Sequence, residues 1–160
     1  MPAATTPAST STVASAGCPP PPSLSWSDDP FPDGTQFGSV RHFDGRSIYL
    51  DPAERFSNED ANQAAREDGR IGPTEELPNP VYIRNPDPGV VRVDVWNGFT
   101  LTTIDAANYP AQRTLSRADL ASLYCPGTDT TWMYSPADHL PVDVIVSGGR
   151  AHSATEYYLP

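Results

Sequence analysis

The chain has 160 residues and a formal charge of -10, from 20 Asp plus Glu against 10 basic residues, every one of them Arg. That length fits one domain, and 38% hydrophobic residues with 19 Pro and 11 Gly suit a turn-rich globular unit carrying some unstructured chain. Its apolar runs fall far short of the roughly 20 residues a transmembrane helix needs, and its acidic surplus excludes a nucleic-acid partner, which is gripped by clustered Lys and Arg.

No charged side chain occurs before Asp28, and residues 1–25 are almost wholly Ala, Thr, Ser and Pro, including the run Pro19 to Pro22. Such a segment buries no core, so it is expected to be a disordered stalk ahead of a single globular domain over residues 26–160. Met1 to Gly17 has neither the basic start nor the apolar stretch of a signal peptide, so either Met1 replaces a removed one or none existed. Ala16-Gly17-Cys18 resembles the end of a lipoprotein cleavage site only superficially, because Ser15 stands where an aliphatic residue belongs.

From Trp26 onward, turn signals separate apolar alternations, the pattern of short antiparallel strands. Asp44-Gly45 divides Ser39–Phe43 from Arg46–Leu50 and predicts a hairpin with a two-residue loop. Residues 54 to 68 carry the first helix signal: Ser57 and Asp60 resemble a capping box, Gly69 is a left-handed stop, and the helix over Asn58–Asp68 has only Ala61, Ala64 and Ala65 to bury. So small a face makes it peripheral. A lone strand, Val81–Arg84, follows between Pro80 and Pro86. Asn97-Gly98 predicts a second hairpin, with Val91, Val93 and Val95 opposite Ile104, Thr102 and Thr100 on a core-facing side. The next helix is better anchored, with Ser116 and Asp119 as the box, Leu115 as a staple, and Leu120, Leu123 and Tyr124 as its buried stripe. Gly148-Gly149 closes a third hairpin between Val142–Val146 and Ala151–Tyr158. About seven strands and two short helices make a mainly β, α+β fold: a small, strongly curved antiparallel sheet or partly closed barrel, with an oligonucleotide/oligosaccharide-binding (OB)-like barrel and a sandwich as the candidates.

The series Leu50-Asp51-Pro52-Ala53-Glu54, Ala64-Ala65-Arg66-Glu67-Asp68-Gly69-Arg70-Ile71, Leu77-Pro78-Asn79 and Tyr82-Ile83-Arg84-Asn85-Pro86-Asp87-Pro88 resembles uncharacterised secreted or lipoprotein-like domains of Gram-positive, actinobacterial type. The closing Tyr157-Tyr158-Leu159-Pro160 is similar to their C-terminus. The resemblance implies an exported, extracellular or cell-envelope domain, and no biochemical role.

Two cysteines, Cys18 and Cys125, allow one disulfide, which in an oxidising compartment pins the Pro-rich segment to the loop after the second helix. The alternative is two free thiols in a reducing cytoplasm. Asp28, Asp29 and Asp33 beside Gly34 supply carboxylates that could meet calcium, but lack the alternating spacing of a calcium loop and read equally as a solvated turn. Asp87 and Asp105, at loop mouths, read the same way.

Hydrolytic chemistry needs a nucleophile, a base and an orienting acid within reach. Asp138 adjoins His139, and counting back from Gly148-Gly149 sets His152 opposite Ile145 and diagonal to Asp143. With no G-x-S-x-G elbow anywhere, His152, Asp143 and His139 compete as catalytic candidates with the reading of ordinary strand histidines. For binding, Arg84 beside Tyr82 offers a fork to a carboxylate, internal or foreign, and Trp96, Phe99, Trp132 and Tyr134 form either an aromatic surface or core. No cofactor is implied. The leading expectation is an exported, non-catalytic interaction domain for a protein or small ligand. Its rivals are a secreted hydrolase using a His/carboxylate pair and an inhibitor-like module presenting the loop Ala106–Arg113.

Overall fold

A computed structural model describes residues 17–158. Among them the elements are β1 (Gly34–Phe43), β2 (Ser47–Pro52), β3 (Glu54–Ser57), α1 (Glu59–Glu67), β4 (Val81–Arg84), β5 (Val91–Ile104), β6 (Gln112–Ser116), α2 (Arg117–Leu123), β7 (Leu140–Ser147) and β8 (Arg150–Glu156). Of the segment expected to be a stalk, residues 1–16 lie outside the described residues. Residues 17–25 are tied to the domain by the Cys18–Cys125 disulfide, and Trp26 packs edge-on against Tyr49.

Five strands close into a barrel whose wall runs β2-β1-β7-β8-β5 and back to β2, with β6 added along β5. Every pairing is antiparallel except β5 with β8. The expected all-antiparallel sheet is corrected here for a geometric reason: five strands in a closed ring cannot all alternate in direction, so one pair must run parallel. Counting barrel strands in chain order, the wall reads 1-2-3-5-4-1, the winding of an OB-type Greek-key barrel. Val40, Phe43, Ile48, Leu50, Val93, Leu101, Val142 and Val144 fill the interior.

The hairpin predicted at Asn97-Gly98 does not form; those residues lie inside the 14-residue strand β5. The reason is apolar area. A turn there would set Val93 and Val95 on one face with Thr100 and Thr102, and turn Phe99 and Leu101 away. As a single strand, β5 sends Val93, Val95, Phe99 and Leu101 all inward, at most 7% exposed. Burying an extra Phe and Leu is worth roughly 1.5–3 kcal/mol each, more than the turn preference of one dipeptide. The strand still bulges there: Val95 pairs with Ala151 but Thr100 with Ser153, so residues 96 to 99 swell outward from the ladder.

The other two hairpins form with one change of turn. At Gly148-Gly149 both glycines have positive φ, 58° and 69°, as a two-residue type I′ loop requires. At Asp44-Gly45 the loop is longer than expected, because Phe43 pairs with Ile48 rather than with Arg46. Asp44 Oδ1 accepts from the N–H groups of Arg46 and Ser47, both at 2.8 Å, so a side chain organises this turn.

The strand Val81–Arg84 is not alone: it pairs with β3 in a two-stranded ribbon, and α1 lies on it as a peripheral helix. Ser57 belongs to β3, so the capping box expected for α1 is absent and Asn58 precedes the helix at φ 54° without a side-chain cap. The stop at Gly69 does form, with Gly69 N–H on Arg66 O and Arg70 N–H on Ala65 O. On α2 both halves of the Ser116/Asp119 box are present, and Leu120 and Leu123 are buried.

Candidate functional site

Where β2 and β5 meet in the barrel wall, a cleft of about 450 Å³ opens between the Asp44–Arg46 turn, the β5 bulge, the start of α2 and the start of β8. Each wall is held by a local device. Arg46 O accepts from Val95 N–H at 2.9 Å, which locks the turn to β5. Ser47 Oγ donates to Asp94 Oδ1 at 2.8 Å across the same pair of strands. Arg117, the first residue of α2, donates through Nε to Gly45 O and through Nη1 to Asn97 Oδ1. The Asp44 carboxylate is consumed by the turn on Oδ1 and by the Tyr49 hydroxyl on Oδ2 at 3.0 Å. Burial, with Asp44 adding to it, pushes the Tyr49 phenol up to about 12, so it stays a donor at neutral pH.

A second hollow, about 670 Å³, lies between residues 25–29, the middle of β1, the end of β2 and residues 85–91. Trp26, Phe37, Pro52 and Pro86 give it apolar walls, and Asp29, Glu54 and Asp87 an acidic rim.

The residues singled out from sequence are dispersed. Arg84 is spent internally, bonding Asp68 at 2.9 Å, Glu67 at 3.1 Å and Ala64 O at 3.0 Å, over the ring of Phe56. Tyr82 donates to the same Asp68 carboxylate. Together they fasten the end of α1 to β4. Asp143 takes both its bonds from Arg55 at 2.8 Å, and that guanidinium lies against the rings of both Phe37 and Tyr157, which meet edge to face. This contact clamps the β3–β4 ribbon to the barrel.

The register expected for His152 is also corrected. Ile145 pairs with Ser153, because His152 sits in a bulge of β8. His152 stacks instead on Trp96, rings 5.6 Å apart and 12° from parallel. Its Nε2 lies 3.3 Å from Ser147 O. The His139 ring lies 3.4 Å from the adjacent exposed Asp138 carboxylate. The structure therefore brings no His together with Asp143.

The calcium candidates separate as well. Asp33 caps the Gly148-Gly149 turn, and the Gly149 and Gly148 N–H groups hold its carboxyl below the usual range. Asp28 pairs with Arg92 at 2.9 Å. Among the described residues, no three His, Cys, Asp or Glu side chains gather as a metal would need.

Phe99 is core, 1% exposed and stacked on Phe43, so the four aromatics do not share one surface. Trp96 is 48% exposed at the bulge. Trp132 lies under Arg113, while Tyr134 joins Tyr109 and Tyr158 in an exposed cluster with centroids 5.1 to 6.4 Å apart. Asp105 is buried and structural, bonding Arg113, Asn108 and Ala107 N–H.

Sequence reasoning missed the arginines of the cleft: Arg46, Arg92, Arg117 and Arg150. One signal was present, since Arg46 and Arg150 each directly follow the glycine of a hairpin loop. What joins them is barrel closure, which no local pattern encodes. No protein-family model, curated protein or solved structure matches this chain.

Proposed function

We propose that this protein is an exported, non-catalytic interaction domain that binds its partner on the barrel wall formed by β2 and β5. The observation that carries the reading is the cleft there, framed by the Asp44–Arg46 turn, Arg117 of α2 and Arg150 beside the 148–149 loop, and floored by paired strands. Barrels of this winding commonly bind on the face of their second and third strands between the corresponding loops, a fold-level analogy that supports this face and names no ligand. Export is supported by the Cys18–Cys125 bridge, since such bonds persist in oxidising compartments, and by the resemblance of residues 50–88 to secreted Gram-positive domains. With both cysteines bridged, Cys18 offers no thiol to a lipid. A net charge of -10 disfavours nucleic acid as the partner.

The reading is tested by amide NMR of the isotope-labelled domain against protein, glycan and small-molecule pools from the extracellular fraction of its source organism. Shifts confined to residues 44–47, 92–98 and 148–151, with every pool component unchanged, are expected. Shifts clustering elsewhere, or conversion of a pool component into a new product, would refute it.

A further inference from the structure

The protein has twice as many carboxylates as guanidiniums, and most of its arginines are claimed by an acid: Arg41 by Asp51, Arg55 by Asp143, Arg66 by Glu59, Arg84 by Asp68, Arg92 by Asp28 and Arg113 by Asp105. Four make no ion pair within 4 Å among the described residues: Arg46, Arg70, which acts on Asp68 only at longer range, Arg117 and Arg150. Three of these four line the β2–β5 cleft, and Arg92 lines it with them. In a chain so rich in Asp and Glu, a concavity in which arginines outnumber carboxylates and three of them make no ion pair among the described residues stands out from the general charge pattern. The two acids in the same cleft, Asp44 and Asp94, are held by neutral N–H and O–H donors and keep their charge, so four guanidiniums against two carboxylates leave the lining with an excess of positive charge. Arg117 is oriented by Gly45 O and Asn97, and among the described residues its Nη2 has no partner, nor do the side chains of Arg46 and Arg150, which are exposed.

From this geometry we infer that the cleft binds a small oxyanion carrying two or more negative charges, a polycarboxylate or a polyphosphate. The inference rests on the binding-face reading above and adds the ligand's chemistry to it. Guanidinium forks match carboxylate and phosphate oxygens in paired hydrogen bonds. About 450 Å³ is within the range of small-molecule sites. Size is set by the field outside the cleft. Asp28 and Asp29 flank the adjoining hollow, and the protein as a whole is strongly negative, so a long polyanion would be repelled beyond the arginines. A compact one stays within about a Debye length of them, where their attraction prevails.

The test titrates citrate and inorganic tripolyphosphate, at matched ionic strength, into the wild-type disulfide-bonded protein and into R46A/R150A, followed by amide NMR. Both side chains are exposed and make no bond among the described residues, so the double variant is expected to keep its urea midpoint. The expected result is saturable binding by at least one probe, with shifts at residues 44–47, 97, 117 and 150, and affinity at least about tenfold weaker in R46A/R150A. Saturation by citrate alone assigns carboxylate groups, and by tripolyphosphate alone phosphate groups. Absence of saturation by either probe up to about 10 mM, or equal affinity in the double variant, overturns the inference. These failures differ from failure of the binding-face reading. If neither probe binds but a pool component still shifts the cleft, only the ligand chemistry falls. If pool components shift another surface, the face itself is wrong.

Discussion

Removing the Cys18–Cys125 bridge, by the pair C18S/C125S, is the perturbation whose size follows most directly from the fold. The bridge spans 107 residues and encloses β1 through α2, so the unfolded chain is confined by a long loop. Chain-entropy arithmetic for a loop of about this length gives about 4.7 kcal/mol at 25 °C. The folded state of the variant recovers part of that by loosening residues 17–25, which are otherwise held by contacts such as His42 Nε2 with Cys18 O at 2.8 Å and Gly17 against the Asp44–Gly45 backbone. Trp26 still stacks on Tyr49, and Ser27 still bonds Val90 and Arg92, so release should stop near residue 26. A net loss of about 3–4 kcal/mol is expected. In urea, with a slope of about 2 kcal/mol/M, the midpoint falls by about 1.5–2 M while the slope stays nearly constant. A midpoint shift below about 0.5 M would refute the reasoning, showing that the bridge merely decorates a free segment.

Phe99→Ala should cost about 3–5 kcal/mol and Trp96→Ala less than about 1.5 kcal/mol, as read by urea melts; similar small costs for both would restore the 97–98 hairpin, in which the two side chains share the outward face. Glu156 accepts from Thr103 Oγ1 and Ile104 N–H on one oxygen and from Ser135 N–H on the other. In Glu156→Gln an amide NH2 must face a backbone N–H whichever way it turns, so a loss of about 1–3 kcal/mol is expected in the same assay, and an unchanged midpoint would contradict the geometry. At Gly38 a Cβ would lie 2.5 Å from Asp51 O and 3.1 Å from Leu50 Cγ, so Gly38→Ala should destabilise by about 1–3 kcal/mol, and a neutral result would mean β1 and β2 are less close than drawn. Arg84, Asn108 and the Ser116 hydroxyl hold the carboxyls of Asp68, Asp105 and Asp119, respectively, below the ordinary 3.8. Folded values below unfolded ones mean stability fully present above about pH 4 and lost as pH falls through the folded values, and thermal melts showing no loss on acidification below that pH would contradict these contacts.

Much of the fold was legible because its signals are local. The Gly148-Gly149 turn needs only two residues free to take positive φ, and the Ser116/Asp119 box only a hydroxyl and a carboxylate three residues apart. Both work as expected. The strand Val81–Arg84 was legible from its composition, but its partner was not, since Glu54–Ser57 has no alternation of its own and becomes a strand by pairing. Asn97-Gly98 failed for the opposite reason: a strong local turn signal lost to the burial of Phe99 and Leu101, whose value depends on strands dozens of residues away. His152 and Asp143 failed because a bulge of one residue changes which side chains face each other, and Arg55 then claimed the carboxylate.

By itself the sequence determined a mainly β chain with two short helices, one possible disulfide, and an acidic character that disfavours nucleic acid. Only the tertiary structure decided that five strands close into a ring, that one pair within it runs parallel, and that Arg46, Arg92, Arg117 and Arg150 share a cleft. Those four residues are separated by as many as 104 positions, and nothing within a few residues of any of them specifies the others. Their convergence follows from ladder pairing and core burial, which sum interactions over the whole barrel while turns and caps sum them over a handful of atoms.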